Sequence, residues 1–137
     1  MKTLGIQLKA SEAILVVLER DARGQVSQLK QSAKYRIDDQ LNCEQVRQFR
    51  DQINVAFDSI KPDRIAVLAR NASGRGPMAV SPSSFKLEGI IQLYEKKRIE
   101  FIWPQTVKAH IKKNAVGVTP FHQYQQDALE LAAYLLN

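Results

Sequence analysis

The chain has 137 residues, 45% of them hydrophobic, and its 20 lysines and arginines outweigh 14 acids, giving a formal charge of +6 and a sequence pI near 9.6. That length fits one domain, 1–137, able to bury about two thirds of its unfolded surface. The single Cys43 excludes an internal disulfide and a cysteine-based metal site. No run approaches the roughly 20 apolar residues of a membrane span, and no short apolar core precedes a small-residue cleavage site, so a cytoplasmic protein is expected.

Three strands are predicted in the first third. "TLGIQL" alternates Leu4, Ile6 and Leu8 on one face. "AILVVLE" is an almost continuous apolar run, as expected of a strand covered on both faces. "ERDARGQV" leads through a Gly-containing loop to a third strand within "QVSQLKQSAKYRI", where alternation is clear only at Ala33, Tyr35 and Ile37; a bulged or edge strand is expected there. Val46, Phe49, Ile53, Phe57 and Ile60 then recur at helical spacing, with Asn42 as N-cap and Gln45 three residues on.

"KPDRIAVLA" is a fourth strand, followed by the loop "RNASGRGPMAVSPSS". A second helix is expected through "SFKLEGIIQLYEKK", a short strand at "IEFI", and a third helix at "PQTVKAHIKKN" with Pro104 in its first turn. In "TPFHQYQQDALELAAYLLN", Thr119 is expected as N-cap and Pro120 at the first position of the last helix. A three-stranded meander followed by strands reached through helical crossovers predicts an α/β fold. Its mixed five-stranded sheet, in order 3-2-1-4-5, has helices on both faces. This is the ribonuclease-H-like order.

Charge is uneven along the chain. Residues 61 to 113 hold eleven lysines and arginines against four acids, a surplus of +7, which leaves −1 for the remainder. Such a surplus serves either as a solvated helix surface or as a footprint for an anionic partner. "RNASGRG" has two glycines and two arginines that suit a phosphate cradle, yet it lacks the Lys-Ser/Thr ending of a P-loop, so a plain loop is the favoured reading and a phosphate cradle the alternative. His110 and His122 lie on separate predicted helices without ligands at zinc spacing, and Cys43 has no histidine placed to activate it. Trp103, Phe101 and Tyr94 read as core or strand-end packing, with base stacking by an exposed Trp103 as the alternative.

"LGIQLKA", "RIAVLARNASGRG", "SSFKLEG", "WPQTVKAHIKKN" and "QQDALELAAYLL", in that order, resemble the ribonuclease-H-like superfamily. The resemblance is to its Holliday-junction resolvase (RuvC-like) branch and to a related small bacterial family of unknown function. It spans the chain. It implies a nuclease ancestry in which carboxylates hold two divalent metals about 4 Å apart, so that water attacks a phosphodiester in line. It also places the first carboxylate at Gln7, the second at Ala69 and Arg70, and a last pair at Tyr124 and Asp127. Of these positions only Asp127 is acidic.

One carboxylate beside the Arg70 cation does not balance two divalent ions, so a catalytically degenerate protein without a metal is expected. The competing expectation is a nuclease using magnesium or manganese at a rearranged site of Glu12, Glu88 and Asp127. A DNA or RNA backbone is the expected partner, bound by Lys9, Arg70, Arg75, Lys86, Lys108, Lys112 and Lys113. The alternative is a protein-interaction or homodimerisation domain on the same scaffold, because the resemblance implies helices packed across a two-fold axis.

Overall fold

The computed structural model describes residues 1–71 and 81–137. Four strands come first: β1 (Lys2–Lys9), β2 (Glu12–Arg20), β3 (Val26–Gln28) and β4 (Ala33–Arg36). Then follow α1 (Cys43–Ile60), β5 (Arg64–Leu68), α2 (Pro82–Gln92), β6 (Ile99–Ile102), α3 (Pro104–Lys113) and α4 (Gln126–Leu135), the last preceded by a 3-10 turn at Gln123–Gln125. The sheet runs β3-β2-β1-β5-β6, with β4 also paired to β2. β1 is antiparallel to β2 and parallel to β5, and β5 is parallel to β6.

The expected fold class and ribonuclease-H-like order therefore hold, with six strands among the described residues instead of five. The third predicted strand is two, because Ser32 interrupts the ladder between them. Its hydroxyl accepts from Val17 N (3.0 Å), while Leu29 N donates to Val17 O (2.9 Å). A side chain thus replaces a backbone partner, which is how a bulged strand keeps its neighbour's groups satisfied.

The faces follow the period of two along β1. Leu4, Ile6 and Leu8 enter the core built with α1 and α2, which includes Phe49, Ile53, Phe57, Leu87 and Ile91. Thr3, Gly5 and Gln7 face α4. The Thr3 hydroxyl donates to Ala132 O (2.7 Å). A Cβ at Gly5 would lie 2.3 Å from Ala128 O and 2.7 Å from Ala132 N, so only glycine permits this approach of helix to strand. β2 is covered on both sides: Ala13, Leu15 and Val17 face α1, and Ile14, Val16 and Leu18 face α4. This accounts for its unbroken apolar run.

Three local expectations are corrected. Asn42 caps α1 through Glu44 N and Gln45 N, but the Gln45 side chain accepts from Asp38 N and Asp39 N and does not complete a capping box. α2 starts two residues earlier than expected, capped by Ser81, and ends at Gln92, beyond which the Tyr94 hydroxyl donates to Asp58 (2.8 Å). Thr119 caps nothing. Phe121 N is taken by the buried Gln28 side chain (2.9 Å), and His122 caps the turn that starts the last helical segment.

Candidate functional site

β1 and β5 run parallel, and a cleft of about 150 Å³ lies at their carboxyl ends, where open α/β sheets commonly place ligands. Gln7 and Leu8 reach it from β1, Leu68 and Arg70 from β5 and its continuation, Lys108 from α3, and Asp127 from α4. Gln7 points there because it is odd-numbered on a strand whose odd residues face α4. The Gln7 amide donates to Asp127 Oδ2 (3.1 Å).

Lys108 lies in the second turn of α3, and its Nζ reaches two carboxylates of α4. It lies 2.6 Å from Glu130 Oε1 and 3.6 Å from Asp127 Oδ1. Glu130 is 8% exposed and also accepts from the Gln126 amide (2.9 Å). The Glu130 hydrogen bond raises the Lys108 pKa above its ordinary value; burial opposes this, and the charges of Glu130 and Asp127 reinforce it.

Arg70 forms a second paired unit at the cleft, although its buried Nε finds no partner among the described residues. Its guanidinium pairs with Glu88 (3.0 Å), donates to the Ser84 hydroxyl, and lies over the Phe85 ring, 4.4 Å from its centroid. The Arg70 and Glu88 side chains are only 12% and 18% exposed.

The donor set does not fit two divalent cations. Gln7 is a neutral amide, Lys108 holds both α4 carboxylates with its own charge, and Arg70 holds Glu88. Glu12 starts β2 in register with Lys9 at the end of β1, and its carboxylate lies 3.9 Å from Lys34, so each member of the rearranged trio of Glu12, Glu88 and Asp127 already has a cationic partner. Among the described residues no group of three or more histidines, cysteines or acids is arranged to hold a metal ion.

Gln7, Arg70, Lys108 and Asp127 are thus brought together. Tyr124 lies outside the cleft, 45% exposed, its ring stacked on His122. Lys9, Lys112 and Lys113 are exposed and form no ion pair among the described residues, while Lys86 donates to Gln40 O (2.8 Å). Arg75 and most of the "RNASGRG" loop fall within 72–80, outside the described residues. Trp103 is 52% exposed, which corrects its reading as a packing residue; Tyr94 does pack, edge-on against Phe57. His110 sits against Tyr134 on α4, well apart in the fold from the His122–Tyr124 stack.

Sequence reasoning missed Glu130. The spacing from Asp127 would have found it, since residues three apart on a helix share a face, but the apolar neighbours Leu129 and Leu131 make it read as a solvent-facing acid within a core helix.

Solved structures share the fold at low identity. Thermus thermophilus RuvC in complex with a Holliday junction substrate matches with a TM-score of 0.75 and 16% identity, over 97% of this chain and 91% of that one. A second structure of that protein matches with a TM-score of 0.74 and 15% identity, over 97% and 92% of the two chains. The yeast mitochondrial Holliday junction resolvase matches with a TM-score of 0.57 and 10% identity, over 96% and 75%. No curated protein matches the sequence. No helix among the described residues is long and apolar enough to cross a membrane. The sequence matches the family described as "Protein of unknown function (DUF3010)" over residues 1–135, and the chain belongs to that family.

Proposed function

We propose that this protein is a catalytically degenerate relative of the Holliday junction resolvases that binds nucleic-acid backbone without a metal and without cleaving it. The carrying observation is the Lys108 ammonium between Glu130 and Asp127, at 2.6 and 3.6 Å. A cation fixed to the chain neutralises the carboxylates that a metal would otherwise join, and it has no open coordination position for water or phosphate.

The same geometry divides the basic residues into two groups. Arg70 and Lys108 are engaged by acids and keep the cleft close to neutral. Lys9, Lys86, Lys112 and Lys113 are free of ion pairs among the described residues and carry the backbone contacts. Lys112 lies four residues after Lys108 and shares its helix face, while Lys113 is turned by about 100°. Four contacts at a log–log slope of about 0.9 each weaken duplex binding on the order of a hundredfold between 50 and 200 mM salt.

Fluorescence anisotropy with labelled duplex and branched DNA across that salt range tests this, with parallel incubations in magnesium or manganese. Salt-sensitive binding without cleavage is expected. Cleavage abolished by Asp127→Ala restores the nuclease reading. Absence of binding at 50 mM salt leaves the interaction or homodimerisation domain, whose assembly state light scattering reads.

A further inference from the structure

Two groups of aromatic rings stand exposed beside the segments that form the cleft. Trp103 directly precedes Pro104, a residue of the cleft lining, and Tyr124 lies three residues before Asp127. Both are fixed in backbone and exposed in side chain, Trp103 by 52% and Tyr124, which shares its ring with His122 and the Lys34 ammonium, by 45%. The Trp103 carbonyl accepts from Thr106 N (3.0 Å) and Val107 N (3.3 Å), so α3 holds its position, yet its ring has no aromatic partner among the described residues.

Phe121, His122 and Tyr124 are held by a buried glutamine pair. The Gln28 amide donates to Gln125 Oε1 (3.0 Å), which also accepts from His122 N (3.1 Å), and Gln28 Oε1 accepts from Phe121 N (2.9 Å). Gln28 and Gln125 are 8% and 2% exposed. A buried polar pair therefore fixes a segment whose rings point outward: Phe121 is 56% exposed, and the His122 and Tyr124 rings lie parallel, 5.4 Å apart at 7°. The Lys34 ammonium lies 4.6 Å from the Tyr124 ring centroid.

We propose that these rings are stacking platforms for unpaired bases, so that the nucleic acid bound is single-stranded or locally unpaired; the proposal rests on the nucleic-acid reading above and adds the kind of strand. A protein partner needs a contiguous apolar patch at the heart of its interface. Here the rings are interleaved with Gln105, Gln123, Gln126 and Lys34, an arrangement that suits separate flat ligands carried on an anionic backbone. A base inside a duplex has both faces covered by its neighbours; only an unpaired base offers one to a side chain.

Trp103 is the only tryptophan, so its fluorescence reports contact directly. The full chain is titrated with oligothymidine, oligouridine and a duplex of equal length. Saturable quenching by the single strands at lower concentration than by the duplex is expected. In anisotropy, Trp103→Ala and Tyr124→Ala each weaken single-strand binding about five- to hundredfold. Trp103→Phe keeps most of the affinity, and duplex affinity with its salt slope is unchanged in all three variants. Circular dichroism melts establish that the variants are folded. Single strands that bind no tighter than duplex, or alanine variants that bind them like the parent, overturn the proposal while the backbone reading stands. If neither strand form binds, both fall.

Discussion

Lys108 on α3 donates to Glu130 on α4 across 2.6 Å, joining two helices through a carboxylate whose side chain is only 10% exposed. Lys108→Met removes the cation and leaves Glu130 with the Gln126 amide. Because the Lys108 side chain is 56% exposed, water moderates the loss, and a cost of about 1–2 kcal/mol is expected in urea unfolding. The same variant frees Asp127 and Glu130 toward solvent cations. Millimolar magnesium or manganese should raise its Tm by more than it raises the parent's; equal shifts would show that the ammonium does not substitute for a metal.

The Arg70–Glu88 pair is less exposed on both sides, and removing one partner leaves the other charged with little water to replace it. Glu88→Ala is expected to cost about 2–3 kcal/mol. The double variant Arg70→Met/Glu88→Ala should lose less than the sum of the two singles. A double-mutant cycle by urea unfolding measures the difference, and strict additivity would mean that the pair is not coupled.

Gly5→Ala tests the seat of α4. The added Cβ meets backbone at Ala128 and Ala132, which cannot yield without shifting the whole helix. A loss of about 3 kcal/mol or more is expected. Displacement of α4 also parts Asp127 from Gln7 and Glu130 from Lys108, so the Lys108→Met effect should shrink in the Gly5→Ala background.

Glu100 on β6 is bound by Arg64 on β5 through two hydrogen bonds (2.7 and 2.9 Å). The Arg64 guanidinium holds the Glu100 pKa below its ordinary 4.5, against the opposing effect of burial. A carboxylate with a depressed folded pKa contributes stability that is present above the ordinary value and lost as pH falls through the folded one. The urea midpoint should therefore drop between pH 4.5 and the lower folded value, and Glu100→Gln should flatten that part of the profile. An unchanged profile would remove the pair from the acid stability of the β5–β6 edge.

The order of elements was legible because each follows from local periodicity. The alternation in β1, the unbroken run of β2 and the helical stripe of α1 each require only their own residues and a core to face. Gln7 and Arg70 were legible as departures, since a strand end is a fixed place in the order. The broken alternation of residues 25 to 37 showed that the third strand is irregular, but not that it splits in two, because the split depends on the Ser32 hydroxyl meeting Val17 on the neighbouring strand.

The cleft's chemistry belonged to tertiary structure alone. Lys108 and Glu130 are 22 residues apart, and Arg70 and Glu88 are 18 apart. Sequence counts each as a charge; only packing decides which charges cancel. With α4 seated on Gly5 and α3 laid against it, Arg70 and Lys108 in the cleft are paired with acids, and the unpaired cations and exposed rings among the described residues lie on the surface outside it. A residue's charge is written in its sequence, but its availability to a partner depends on distances of a few ångströms that helix docking sets.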